Sequence, residues 1–159
     1  MNFTLGLTLA SVVLTAALAG TAGAADTPET PAAADALAPV RERIAAKNWR
    51  GAIEELQRIN ATGNADWNNL MGYSLRKSAN PDLVAAEKYY NEALRINPKH
   101  RGALEYSGEL YLMKGDLARA EQRLAALDKA CFLPCEEYDD LKKAVARYKA
   151  AGSKYFATP

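Results

Sequence analysis

The sequence predicts an all-α protein: a helix-turn-helix repeat array, an α-solenoid of about three units, closed by a C-terminal capping helix. Ala52, Ala86 and Ala120 stand 34 residues apart. Around each, further columns repeat in the same frame. Trp49, Leu83 and Leu117 come before the alanines, Leu56, Tyr90 and Leu124 one turn after, and Ile59, Ala93 and Leu127 further on. A period of this length, with a small residue recurring in one helix, marks stacked helical hairpins. Such a hairpin cannot bury its apolar face alone, so it stacks on neighbours and leaves a concave surface for partners.

The 159 residues suffice for about one domain. Twenty Lys and Arg oppose nineteen Asp and Glu, a formal net charge of +1. That balance supplies no counterion-release drive toward nucleic acid and no polybasic pull toward anionic lipid. Residues 1–24 are of another kind, with no Asp, Glu, Lys or Arg and an apolar run from Phe3 to Ala19. They end in Ala22-Gly23-Ala24, the small-residue pattern of a cleaved secretory signal peptide. Their first residues lack a basic side chain; left uncleaved, the segment would be a membrane anchor. After cleavage no stable membrane span is expected. Residues 25–36 read as a flexible linker, because Pro28, Pro31 and a run of alanines have little to bury against their ordering entropy.

The first unit, residues 33–64, is degenerate: Leu37, Val40 and Ile44 make an apolar stripe, and a better second helix runs from Trp49 or Arg50 to Asn60. The second unit covers 65–100. Leu83, Ala86, Tyr90, Ala93 and Leu94 recur at spacings of three and four, one face of a helix. Asp82 can cap its start, and Asn97-Pro98 ends it, since the residue before proline is pushed out of the α region. The third unit covers 101–134, with its turn at Gly115-Asp116. Residues 135–151 form the cap: Tyr138, Leu141, Val145 and Tyr148 share a face, with acids in the first turns and bases later, as the helix dipole favours. Residues 152–159 read as a frayed tail.

On these residues the chain resembles the tetratricopeptide repeat family. Gly72 and Gly108 take the place of the small residue in the first helix, Leu75 and Tyr111 of the large one that follows, Ala86 and Ala120 of the small residue in the second helix, and Pro98 of the closing proline. The C-terminal part also looks like small exported repeat proteins of bacteria. The resemblance implies a non-enzymatic protein–protein interaction module of the bacterial cell envelope, periplasmic in a Gram-negative source, with no cofactor. It implies a concave groove formed by Asn69, Tyr73, Arg76, Lys77, Glu105, Glu109, Leu112 and Met113, extended by Arg41 and Ile44. Some members clamp a partner's terminal carboxylate; Asn69 and Arg76 fit that clamp, but Glu105 and Glu109 replace the groups expected next. A peptide or protein segment of mixed charge is the partner this implies.

Cys131 and Cys135 are the two cysteines. An even count in a chain bound for an oxidising compartment suggests a structural disulfide. The alternative is a metal- or thiol-handling factor using the same pair, although soft-metal sites need more than two thiolates. His100, in an inter-repeat turn, reads as solvated. The chain has no phosphate loop and no assembled catalytic triad, so no catalytic or metal residue is assigned. Self-association of the array is a third reading.

Overall fold

A computed structural model describes residues 35–155. The signal-peptide reading and nearly all of the linker fall on residues 1–34, and the end of the tail on 156–159, outside the described residues. The described chain is all-helical, with seven helices and no strand: α1 (Ala38–Ala45), α2 (Trp49–Ile59), α3 (Ala65–Lys77), α4 (Leu83–Ile96), α5 (Arg101–Met113), α6 (Leu117–Ala130) and α7 (Glu136–Ala150). None of these is long and apolar enough to cross a membrane.

Helix starts follow from short polar caps. The side chains of Asn48, Asn64, Asp82 and Asp116 each accept a backbone N–H from the first turn of α2, α3, α4 and α6, satisfying one of the donors a helix start leaves unpaired. His100 does the same for α5: its Nδ1 accepts from Ala103 N–H at 3.1 Å. Its Nε2 lies 2.9 Å from Asp66 Oδ1. This corrects the expectation of a solvated turn histidine, because the ring ties the start of α5 to the start of α3. Gly115, at φ +76°, turns the chain out of α5, and Asn60, at φ 51°, ends α2.

Each helix packs on the next, most extensively α3 with α4 and α5 with α6, and α5 also packs on α7. Ala52, Ala86 and Ala120 lie on α2, α4 and α6 and are fully buried. One apolar cluster joins Leu37, Val40, Ala52, Leu56, Trp67 and Met71. The larger one runs from Ala86 and Tyr90 to Leu141, Val145 and Tyr148. Leu75 packs against both. Trp67 fastens α3 to the end of α2, its indole N–H donating to Leu56 O at 2.8 Å.

The two glycines sit at close approaches of different kinds. A Cβ on Gly72 would stand 2.8 Å from the Tyr90 ring and 3.1 Å from Ala86 O, so α3 rests directly on α4. A Cβ on Gly108 would meet Leu141 at 2.5 Å, a residue of α7. The second glycine therefore makes room for α7 rather than for α6, the helix that follows its own.

The chain end departs from the frayed tail. Gly152 and Ser153 both have positive φ, and the N–H of Ser153 bonds to Tyr148 O at 3.0 Å. This left-handed reversal brings Tyr155 back against the larger cluster. Cys131 and Cys135 are joined by a disulfide across the α6–α7 connection. Between them, Phe132 is 99% exposed.

Gly72→Ala should lower the unfolding free energy by about 1–3 kcal/mol, because a buried ring and a backbone carbonyl must both yield. Gly108→Ala should cost less, because the nearest atoms are the terminal methyls of Leu141, which can turn; the helix propensity that alanine restores, about 1 kcal/mol, is the same at both sites. Urea midpoints decide it, and a larger loss at Gly108 would overturn this ordering. Replacing Cys131 and Cys135 together by Ser should lower the melting temperature, since the loop-entropy estimate for so short a ring is about 2 kcal/mol. Two titratable thiols in the purified native protein would refute the bridge.

Candidate functional site

Helices α3, α5 and α7 converge on a polar pocket of about 320 Å³, lined by Tyr73, Arg76, Lys77, Glu105, Tyr106, Glu109, Asp140 and Arg147. Tyr73, Arg76 and Lys77 share the last turns of α3 because residues three and four apart fall on one helix face. Glu105 and Glu109 share a face of α5 for the same reason, with Tyr106 beside them.

Arg76 is the centre of the site. It is 3% exposed. Its guanidinium pairs with Glu109 at 2.7 Å, and its Nε donates to Tyr90 Oη at 3.3 Å. The rings of Tyr73 and Tyr106 lie on it, each centroid 5.5 Å from Cζ. Those two rings touch each other at 4.6 Å, and Trp49 meets Tyr73 edge-on at 5.8 Å. Burial works against the charge on Arg76, but Tyr90 and Glu109 outweigh it and hold the guanidinium firmly protonated.

Glu105 is treated differently. It is 9% exposed, and among the described residues no side chain hydrogen-bonds or ion-pairs with it. Burial first, then repulsion from Glu109 and Asp140, pushes its carboxyl up to about 8, against a smaller pull from Arg76. Burial likewise raises the phenols of Tyr73 and Tyr106. The site thus holds Glu109 in a salt bridge with Arg76 and, one turn before it, Glu105, which keeps its proton at neutral pH.

Six of the eight expected groove residues border this region. Tyr73, Arg76, Lys77, Glu105 and Glu109 line the pocket, and Met113 lines a smaller one next to it with Arg76 and Tyr155. Two do not. Leu112 is 1% exposed and belongs to the core, because the face of α5 that carries it meets neighbouring helices. Asn69 is buried too, its Nδ2 at 3.1 Å from where a Cβ on Gly102 would stand. Arg41 is exposed and paired with Asp35, and Ile44 packs on the first apolar cluster; neither borders the pocket. Tyr106, Asp140 and Arg147 are the residues sequence reasoning missed. A cue for the last two was their separation by two helical turns, which puts both on one stripe of α7.

A broader hollow of about 1030 Å³ lies elsewhere, lined by Thr62, Val84, Glu87, Lys88, Tyr89 and Glu92 among others. Three of its four charged residues already serve the fold: Glu92 pairs with Arg95 at 2.7 Å, and Glu87 pairs with Lys114 and Arg119. Among the described residues, no buried, unpaired acid faces it. Compared with known proteins, the chain matches no protein-family model, and no curated protein is similar to it in sequence.

Glu105 makes stability depend on pH. In the unfolded chain its carboxyl titrates near 4.5 and in the folded protein near 8, so between these values the folded state holds a proton that the unfolded state has lost. Its contribution is complete below the unfolded value and is lost as pH rises through about 8. Unfolding free energy should fall by on the order of a few kcal/mol over that range. Glu105→Gln should remove most of this fall, as read from urea midpoints at successive pH values. Parallel declines in the two proteins would contradict the assignment.

Proposed function

We propose that this chain is a small tetratricopeptide-type repeat protein, exported to the bacterial cell envelope, that binds a peptide or protein segment without catalysis. The segment lies on the face shared by α3, α5 and α7. The observation that carries this reading is the polar pocket, where side chains from two successive hairpins and the terminal helix converge around Arg76 and Glu105. A solvated helix face has no need of a buried acid without a partner, whereas a recognition surface uses such groups to fix orientation.

Further support comes from the recurring alanines, each fully buried on the second helix of its hairpin, and from Gly72, which lets α4 approach. A disulfide is at home in an oxidising compartment, as export would require.

Arg76→Ala is a poor probe of binding, because removing one member of a buried ion pair costs about 3–5 kcal/mol of stability. Tyr73 and Lys77 are better: both line the pocket, and neither is fully buried. Tyr73→Ala with Lys77→Ala should abolish partner capture, since losing an aromatic anchor typically costs ~2 kcal/mol or more. Lys88→Ala with Glu92→Ala, in the broad hollow, should leave capture intact. Photocrosslinking in the native envelope from positions 73 and 88 gives an independent readout. Adducts from position 88 alone, or capture lost only in the Lys88/Glu92 variant, would discard this face.

A further inference from the structure

We infer that the pocket between α3, α5 and α7 is a receptor for a cationic side chain, lysine or arginine, carried by the bound segment. Glu105 is its deep counter-ion, and the rings of Tyr73 and Tyr106 are its walls. The inference rests on this face being the one that binds a partner.

The molecule itself shows how this pocket holds a cation. Arg76 lies against both tyrosine rings, with its charge on Glu109. Aromatic faces and a carboxylate are the chemistry that recognises ammonium and guanidinium groups. Glu105 lies one turn before Glu109 on the same face of α5 and lines the same pocket. It is nine-tenths buried, yet among the described residues it has no cation of its own. A buried, uncompensated carboxylate is costly, and its proton is the cheapest remedy until a cation arrives. A ligand ammonium would displace that proton and take up the interaction.

The rim adds a second preference. Lys77 and Arg147 border the pocket and make no ion pair among the described residues, while Asp140 has Lys143 at 3.3 Å. An acidic residue beside the inserted basic one would meet Lys77 and Arg147. The segment that fits is therefore one with a basic residue flanked by an acid.

The test uses the mature full-length protein and blocked Gly/Ala heptapeptides with one central Lys, Arg, Nε-acetyl-lysine or norleucine. Binding is followed by the Tyr73 and Tyr106 ring resonances. The Lys and Arg peptides should bind saturably and about tenfold or more tighter than the two neutral ones, since hydrogen bonds to charged groups exceed that threshold. Affinity for the Lys peptide should rise from pH 6 to pH 8.5, with proton release. The charged and titratable groups around Glu105 are Tyr73, Arg76 and Lys77 of α3, Tyr106 and Glu109 of α5, and Glu137, Asp140 and Arg147 of α7. Glu105→Gln, which keeps the neutral shape of the protonated acid, should reduce the preference for Lys over norleucine to near unity. Equal binding of norleucine, an undiminished preference in Glu105→Gln, or no binding of any peptide would overturn the receptor. If crosslinks from position 73 persist while all the peptides fail, the binding face stands and the cation receptor alone is refuted.

Discussion

The site depends on one steric contact, the absence of a side chain at Gly72. It lets the Tyr90 ring lie directly on α3, where a Cβ would intrude to 2.8 Å. Tyr90 is thereby fully buried with its hydroxyl under the end of α3. There it accepts from Arg76, and Arg76 in turn meets Glu109 of the next hairpin. A packing constraint between two helices thus sets the position of a guanidinium, and the guanidinium links α3 to α5 by charge. A buried ion pair is a weak source of stability, but it tolerates few alternative arrangements. Here its effect is to fix which faces of α3 and α5 look at each other.

The same geometry explains why two carboxyls on one helix behave so differently. Glu105 and Glu109 are four residues apart, a spacing at which like charges repel. One low-dielectric pocket cannot hold both charges with a single guanidinium bonded to one of them. Glu109 has Arg76 at 2.7 Å; Glu105, without such a partner among the described residues, keeps its proton until about pH 8. Geometry decides which acid carries the charge, and the protonated one remains the responsive element of the site.

The C-terminal end is more built than a cap needs to be. Leu141 of α7 fills the space that Gly108 leaves open, so α7 lies close enough to contribute Asp140 and Arg147 to the pocket. The disulfide ties the start of α7 to the end of α6. Beyond α7, the reversal at Gly152 and Ser153 returns Tyr155 beside Arg76 and Met113. Packing on α5 and the disulfide thus both hold the last helix, and the packing on α5 brings Asp140 and Arg147 to the wall of the site.

By itself the sequence determined the helical class and most of the helix ends. Periodic apolar spacing, Asp82, Gly115-Asp116 and Asn97-Pro98 act over a few residues, and local physics suffices to read them. The family resemblance named Tyr73, Arg76, Lys77, Glu105 and Glu109 as groove residues; helical spacing alone places only those of one helix on a common face. Tertiary structure alone decided what those residues do there. The burial of Leu112 and Asn69, the pairing of Arg76 with Glu109 rather than with Glu105, the entry of Tyr106, Asp140 and Arg147, and the return of Tyr155 all depend on which helices approach and at what distance. So does the histidine, whose partner Asp66 lies 34 residues away. Distances between helices set burial, and burial sets charge; neither is carried by the spacing of residues along a chain.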